Sequence, residues 1–206
     1  MLTGEITLKK KFDNVYQFKI ALKGIKPPIW RRIKVPETYT FWDLHVAIQD
    51  SMGWLDYHLH HFEIPDPLKR RVVYIGIPDE DMEMGMEILP GWEVKIADYF
   101  FRENNRADYI YDYGDDWKHR VELEEIQPRE KGVKYPVCID GQRSCPSEDC
   151  GGTGGYEDFL KIIMDPQHEQ YRETLDWVGG EFDPEHFDAK GVYFYNPKEG
   201  LKMAFE

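Results

Sequence analysis

The apolar residues repeat with a strand-like period over most of the first 127 positions and with a helical period after Gly155. A period of about two brings alternate side chains to one face of a strand, whereas a period near 3.6 brings them to one face of a helix. The N-terminal part of the chain is therefore expected to form a sheet, and the C-terminal part is expected to form helices that pack against it. We predict an α+β fold for residues 1–206, which form one domain with a sheet-rich part over about 1–127 and a cysteine loop and helical part over about 128–206.

Five runs of β-favouring residues, bounded by turn residues, predict the strands. The first two runs are separated by the breaker KGIKPP and predict a hairpin. The last run is divided by the turn residues GDD, which predicts a second hairpin. An acidic, methionine-rich segment over 78–92 predicts a loop between the fourth and fifth runs. The runs cover residues 15–22, 29–36, 58–65, 71–77 and 108–126.

One helix is predicted within the sheet-rich part, over about 41–52, where apolar residues recur at helical spacing. Thr40 and Asp43 have the spacing of a capping box, and Gly53 supplies the stop. A sheet that wraps across one helix is β-grasp-like, and this is the narrower fold that we expect. The C-terminal part predicts two helices and then a turn with a short helix, in residues 156–165, 168–178 and 179–188.

The charge of the chain restricts its partners. Thirty-nine acidic residues against 26 basic ones give a formal net charge of −13. This charge repels nucleic acids, since duplex affinity depends mainly on Lys and Arg contacts to phosphates. No stretch approaches the ~20 apolar residues of a membrane span, and the N-terminus has no signal-peptide pattern. We therefore expect a cytoplasmic protein without membrane contact, whose partner is a protein rather than a nucleic acid.

All three cysteines, Cys138, Cys145 and Cys150, lie within 13 residues. They cannot all pair within the chain, and in a reducing compartment clustered thiols serve as metal ligands, redox partners or plain packing. Packing competes with zinc here because the chain lacks the paired C-x2-C knuckles of zinc ribbons and fingers. With either role, we expect the segment CIDGQRSCPSEDCGG, residues 138–152, to be an ordered loop that pins the helical part to the sheet.

A tetrahedral zinc ion would need a further ligand, and the alternation of strand side chains selects it among the histidines. His58 and His60 share a face with Phe62, and His119 shares a face with Trp117, so these three histidines are predicted to point inward. A lone inward histidine is more often a neutral core residue with hydrogen-bond partners. Three of them in neighbouring strands favour a shared site, with His60 close to His119. The predicted Zn²⁺ ligands are Cys138, Cys145, Cys150, His60 and His119.

The turn YDYGDDW provides a second candidate site. Clustered carboxylates bind Mg²⁺ or Ca²⁺, or activate water in a hydrolase. The alternative is structural, because aspartate and glycine dominate hairpin turns for reasons of backbone geometry. The candidate residues of this site are His58, Asp112, Asp115, Asp116 and Trp117.

Five spaced motifs resemble one known family across nearly the whole chain. They are PPIWRRIKVP, DSMGWLDYHLHHFEI, YIYDYGDDWKHRVELE, YPVCIDGQRSCPSEDCGGTGGYEDFL and FDPEHFD, in this order. The same order is found in the plasmid pRiA4b ORF-3-like proteins, which are best known from plasmid- and transposon-associated reading frames. The resemblance implies a fold family and a link to mobile elements, and it implies no settled chemistry.

Two functional classes follow from these patterns. The first is a non-catalytic binding or accessory module stabilised by zinc, which we favour. The second is a metal-dependent hydrolase that uses the Asp and His residues. The two classes differ in the metal site, since a structural site is closed by four protein ligands whereas a catalytic site keeps a position open to water.

Overall fold

The computed structural model describes residues 12–69, 71–78 and 87–205. Within these ranges the chain forms an eight-stranded sheet in the order β5-β4-β3-β6-β7-β1-β2-β8, antiparallel except for the parallel pair β4–β5. The strands are β1 (Asn14–Leu22), β2 (Trp30–Pro36), β3 (His60–Pro65), β4 (Val72–Gly76), β5 (Ile88–Pro90), β6 (Arg106–Tyr111), β7 (Trp117–Pro128) and β8 (Val137–Gln142).

Both predicted hairpins are confirmed. Strands β1 and β2 pair antiparallel, and strands β6 and β7 pair antiparallel around the turn 112–116. Strand β3 begins at His60, two residues later than predicted, so His58 lies in the connection that precedes the strand. The inward direction predicted for His58 from strand alternation was therefore wrong, because alternation applies only within a strand.

The structure contains four α-helices within the described residues: α1 (Phe41–Met52), α2 (Gly152–Met164), α3 (Tyr171–Trp177) and α4 (Pro197–Phe205). Helix α1 has the predicted bounds. The Thr40 side chain accepts a hydrogen bond from the backbone N–H of Asp43, the Asp43 side chain accepts one from the backbone N–H of Thr40, and Gly53 ends the helix at φ 85°. These signals are local, which is why the sequence predicts them well.

Other elements differ from the expectation. Helix α2 begins at Gly152, ahead of the predicted 156, and helix α4 follows the segment in which a short helix was expected. Residues 179–188 form no helix, and a short 3-10 turn follows them at Ala189–Gly191. Within the predicted methionine-rich loop, residues 88–90 form β5, and residues 79–86 lie outside the described residues.

The core lies between α1 and one face of the sheet. Helix α1 buries most of its surface, and its Phe41 ring contacts Phe62 of β3 at 5.1 Å in an edge-to-face arrangement. The predicted mixture of sheet and helices is confirmed. The narrower β-grasp description is not, because eight strands and four helices exceed a sheet wrapped on a single helix. In the described part of the chain, no helix has the length and apolar character that a bilayer crossing requires.

Residues 182–191 pack beside β8, an edge strand of the sheet. The backbone N–H of Ser144 donates to the carbonyl of Pro184 at 3.1 Å. The Phe187 ring packs so closely over Gly141 that a Cβ there would clash with it. Phe187 also stacks on the guanidinium of Arg31 at 3.8 Å. This segment therefore covers Gly141 of the last strand and the buried side chain of Arg31.

Candidate metal centre

The cysteine loop folds against two other connections of the sheet. Trp54, just after α1, donates from Nε1 to the carbonyl of Pro146 at 2.8 Å. The backbone N–H of Gly151 donates to Oδ2 of Asp115 in the β6–β7 turn at 3.0 Å. The loop thus joins β8 to α2 and ties both to the sheet, as the sequence predicts.

Tyr111, the last residue of β6, links the cysteine loop to the connection that follows α1. Its hydroxyl donates to Oε1 of Glu148 at 2.5 Å and accepts from the backbone N–H of Tyr57 at 3.1 Å. The other Glu148 oxygen accepts from the backbone N–H of Leu55 at 2.8 Å. Burial, reinforced by the nearby Glu148 carboxylate, raises the pKa of Tyr111, so the hydroxyl keeps its proton and donates. These bonds fix the backbone on either side of a cluster of potential ligands.

That cluster consists of His58, Asp112 and Asp149. The Nε2 atom of His58 lies 3.1 Å from Oδ1 of Asp149 and 3.6 Å from Oδ2 of Asp112. One ligand atom from each residue lies within 4.8 Å of the other two. The side chains of His58, Asp112 and Asp149 are 30%, 10% and 68% exposed, so the cluster opens to solvent on its Asp149 side.

The turn geometry directs one carboxylate into this cluster. Oδ1 of Asp112 accepts from the backbone N–H of Gly114 at 2.9 Å, which leaves Oδ2 facing His58. Asp115 is used to hold the cysteine loop, and Asp116 pairs with Lys118 at the surface at 2.6 Å. Trp117 is fully buried in the core. Asp115 and Asp116 thus have the structural roles that turn chemistry favours.

A second cluster lies in the core beneath α1. His60 is fully buried, and its ring stacks on that of His45 with centroids 3.4 Å apart and an interplanar angle of 7°. Oδ1 of Asp56 lies 2.8 Å from Nε2 of His45. One ligand atom each of His45, Asp56 and His60 lies within 4.8 Å of the others. Burial lowers the pKa of His60 well below its ordinary value, so its ring is neutral.

The hydrogen bonds around His45, with Gln49 donating to Tyr109, favour one tautomer of its ring. Gln49 donates from Nε2 to the hydroxyl of Tyr109 at 2.8 Å. Burial raises the pKa of Tyr109 well above its ordinary value, so that hydroxyl keeps its proton and donates to Nδ1 of His45 at 2.8 Å. Nδ1 is then an acceptor, and Nε2–H donates to Asp56. By contrast, neither ring nitrogen of His60 has a hydrogen-bond partner in the described part of the chain.

His119 lies on the same core face as His60, two strands away. Tyr109 of β6 pairs with His119 of β7, and its ring stands 5.9 Å from His60 and 5.2 Å from His119. Burial lowers the pKa of His119 to about 4, which keeps it neutral. His60 and His119 therefore share a face, with an aromatic ring packed against both.

The three cysteines belong to neither cluster. Cys138 is buried on β8, Cys145 and Cys150 are partly buried, and all three are free thiols. Burial raises the pKa of Cys145 and of Cys150 to about 12, so both thiols are uncharged. Among the residues described, neither cluster of three potential ligands contains a cysteine. Of the residues expected to bind Zn²⁺, His60 belongs to one of these clusters, and two residues of the other predicted site, His58 and Asp112, belong to the second.

Sequence reasoning missed three members of these clusters: Asp149, His45 and Asp56. One signal was available for His45, which together with Gln49 forms an i, i+4 polar pair within the otherwise apolar buried surface of α1. Asp149 and Asp56 gave no such signal, because they approach their partners only through the docking of distant loops.

Comparisons with known proteins agree with this architecture. The family model described as plasmid pRiA4b ORF-3-like protein matches residues 14–191. Uncharacterized protein y4hQ from Sinorhizobium fredii (strain NBRC 101917 / NGR234) is 34% identical over 167 residues, which are 81% of each chain. The crystal structure of MM3350, a protein of unknown function from Methanosarcina mazei Go1, superposes with a TM-score of 0.83 at 47% identity and covers 89% of this chain and 100% of that one. The chain therefore belongs to the plasmid pRiA4b ORF-3-like family.

Proposed function

We propose that this protein is a binding module that holds a divalent transition-metal ion, Zn²⁺ or Mn²⁺, through His58, Asp112 and Asp149. One observation carries the proposal: an imidazole nitrogen lies 3.1 Å and 3.6 Å from carboxylate oxygens that come from two other segments of the chain. An imidazole suits zinc and related ions, and carboxylates suit zinc and manganese alike. In this proposal the set takes the place of the cysteine-rich set expected from the sequence.

The ligand set supports a binding role, because three protein ligands leave at least one position of the metal open to another molecule. The connection that carries His58 also carries two exposed apolar side chains: Leu55 is 65% exposed and Tyr57 is 74% exposed. Apolar surface beside an open metal position suits a protein partner better than a nucleic acid, in keeping with the net charge of −13. Three free thiols fit a cytoplasmic, reducing location.

The competing explanation is an ion pair without metal. A protonated His58 would be attracted to the same two carboxylates, and this would give the same distances. The two explanations differ in what happens when metal is added, since a metal that binds only the folded chain raises its melting temperature.

The test is a titration of protein purified without a histidine tag, with Zn²⁺ and with Mn²⁺, followed by calorimetry and by melting temperature. Asp149 has φ 60° and Asp112 has φ 57°, a backbone region that asparagine also tolerates. Asp149→Asn and Asp112→Asn should therefore fold, and we expect each to weaken binding at this site by at least about tenfold.

Cys145→Ser is the matched control for the ligand set expected from the sequence. We expect it to retain wild-type metal affinity and to lower stability by about 1–3 kcal/mol, because a hydroxyl replaces a buried thiol. Metal loss in Cys145→Ser, with wild-type affinity in Asp149→Asn, would overturn the proposal and favour the cysteine set.

A metal-dependent hydrolase is the second candidate, and the exposure of the cluster on its Asp149 side is the observation that favours it, because water could reach a metal bound there. The substrate test uses p-nitrophenyl phosphate and p-nitrophenyl acetate with Zn²⁺- or Mn²⁺-loaded protein. Turnover that requires the metal and disappears in Asp112→Asn would establish this function. Metal binding without turnover on either ester would leave the binding module as the function.

A further inference from the structure

We propose that His45, Asp56 and His60 form a second, buried metal site, distinct from the solvent-facing cluster and suited to a nitrogen-preferring ion such as Zn²⁺ or Ni²⁺. Its three ligand atoms lie within 4.8 Å of one another. Two imidazoles and one carboxylate are a common donor set for such ions. The side chain of Asp56 is 29% exposed, so one member of the set reaches the surface and offers a way in.

The state of His60 is independent evidence for a ligand. Its ring is fully buried beside the apolar rings of Trp42 and Phe62, and neither nitrogen has a hydrogen-bond partner among the described residues. A neutral imidazole carries one donor and one acceptor, and buried polar groups in native proteins are nearly always paired. A metal ion at one nitrogen would use the lone pair that the surrounding side chains leave unpaired.

The hydrogen bonds behind His45 can support a metal-bound ring. A histidine ligand normally donates its second ring N–H to a neighbour. Without metal, the Tyr109 hydroxyl donates a hydrogen bond to Nδ1 of His45, and Nε2–H of His45 faces Asp56. With a metal at Nε2, the proton moves to Nδ1 and donates to Tyr109, so His45 changes tautomer without a net gain or loss of protons.

Gln49 can accept the hydrogen bond that Tyr109 would donate after this change of tautomer. Its Oε1 atom is buried without a hydrogen-bond partner in the described residues, while its Nε2 donates to Tyr109. A turn of the amide would bring Oε1 to Tyr109, whose hydroxyl would then donate to it. The chain Gln49–Tyr109–His45 can therefore run in either direction.

Metal binding also requires a movement that can be observed. Parallel stacking at 3.4 Å sets the in-plane lone pairs of His45 and His60 side by side, so the His60 ring has to turn for them to converge. The Trp42 ring lies 5.2 Å from the His45 ring and 5.9 Å from the His60 ring. We expect bound Ni²⁺, a quencher, to reduce the fluorescence of Trp42.

The experiment counts metal ions by equilibrium dialysis of full-length protein against Zn²⁺, with Ni²⁺ quenching as the second readout. Asp56 has φ 62°, so Asp56→Asn keeps the backbone and the acceptor for His45 while removing the charge. We expect two equivalents of Zn²⁺ in the wild type, one in Asp56→Asn, one in Asp149→Asn and none in the double variant. Trp42→Phe should bind two equivalents and lose the part of the Ni²⁺ quenching that Asp56→Asn also loses.

The variants separate the two sites. If Asp56→Asn melts as a folded protein and binds as much Zn²⁺ as the wild type with unchanged affinity, the buried site is wrong. If Trp42→Phe quenches like the wild type while Asp56→Asn binds one equivalent, the lost ion lies elsewhere and the buried site is also wrong. If Asp149→Asn keeps both equivalents while Asp56→Asn loses one, the solvent-facing site fails and the buried site stands.

Discussion

Four aspartates of the described residues have left-handed backbone conformations: Asp56, Asp112 and Asp149, with φ values of 62°, 57° and 60°, and Asp116, with a φ of 53°. Residues other than glycine rarely adopt this region, and aspartate and asparagine are among the few that tolerate it. Asp56 belongs to the buried ligand cluster, and Asp112 and Asp149 belong to the solvent-facing one, whereas Asp116 belongs to neither. The same backbone turn that reverses the chain thus also aims a short carboxylate at a histidine.

Tyr111 positions the solvent-facing cluster without belonging to it. Tyr111→Phe removes the hydroxyl that donates to Glu148 and accepts from the backbone of Tyr57. We expect a loss of about 1–3 kcal/mol in the free energy of unfolding, because a buried pairing is broken. We also expect metal affinity to fall about 10–100-fold, as when other supporting bonds of metal ligands are lost. Denaturant unfolding and calorimetry measure the two effects.

Tyr57→Phe is the matched control for this prediction, because the Tyr57 side chain is exposed. We expect it to change stability by less than about 0.5 kcal/mol. A Tyr111→Phe variant with unchanged metal affinity would show that Glu148 and its neighbours do not position the ligands.

The raised pKa of Asp50, in α1, predicts that the stability of the fold depends on pH. Burial raises its pKa to about 6 from an ordinary 3.8, although the backbone N–H of Tyr195 donates to the carboxylate. The folded chain therefore holds this proton more tightly than the unfolded chain does. The contribution to stability is fully present below about pH 4, and it is lost as the pH rises to about 6.

We expect Asp50→Asn to remove this dependence, since the neutral amide can still accept from Tyr195. Its melting temperature should exceed that of the wild type above about pH 6.5 and approach it near pH 4. Melting curves over this pH range give the answer. A difference that stays constant with pH would contradict the assignment to Asp50.

At the scale of elements, the start of α2 depends on close backbone approach. A Cβ at Gly155 would clash with the carbonyl oxygen of Cys150, whereas a Cβ at its neighbour Gly154 would meet no atom within 4 Å among the described residues. A Cβ at Gly152, which has φ 66°, would likewise clash with the carbonyl oxygen of Asp115. The glycines of GGTGG thus let the helix begin directly against the cysteine loop and the β6–β7 turn.

Gly154→Ala and Gly155→Ala should therefore change stability in opposite directions. We expect Gly154→Ala to stabilise by about 0.5–1 kcal/mol, because alanine loses less backbone entropy in a helix. We expect Gly155→Ala to destabilise by about 1–3 kcal/mol, because the backbone has to shift. Denaturant unfolding compares the two variants, and equal effects would contradict the close approach at Gly155.

The elements that the sequence predicts well are those with local signals. Helix α1 carries its cap, its apolar face and its stop within residues 40–53, and the two hairpins carry their turn residues. Strand β8 has no such local pattern. It forms by pairing with β2 and by contact with residues 182–191, both of which are distant in sequence. The metal clusters follow the same rule: Asp112 and His58 stand in recognisable motifs, whereas the approach of Asp149 depends on how a loop docks about 90 residues away in sequence.

At the scale of the whole molecule, the excess of acidic residues determines which surfaces the protein can approach. A net charge of −13 repels polyphosphates at long range and attracts cations toward the open cluster. Salt screens exposed charges over about 8 Å at physiological ionic strength, so this effect is strongest at low salt.

We expect no appreciable binding to duplex DNA at physiological salt, with or without Zn²⁺. Duplex affinity comes from cationic contacts to phosphates, and it falls steeply with salt. A gel-shift titration with duplex DNA at about 150 mM salt checks this, together with a low-salt series as control. A submicromolar complex that weakens as salt increases would contradict the prediction.

The contacts that residues 182–191 make with β8 affect how a truncated chain would behave in solution. Without the Phe187 ring and the bond from Ser144 to Pro184, the last strand would lose the cover over Gly141, and Arg31 would lose its aromatic neighbour. Unprotected edge strands recruit other strands and promote aggregation. A chain truncated after Gly180 would therefore be prone to self-association and to removal by cellular proteases, even though the ligands of both metal clusters would remain in its sequence.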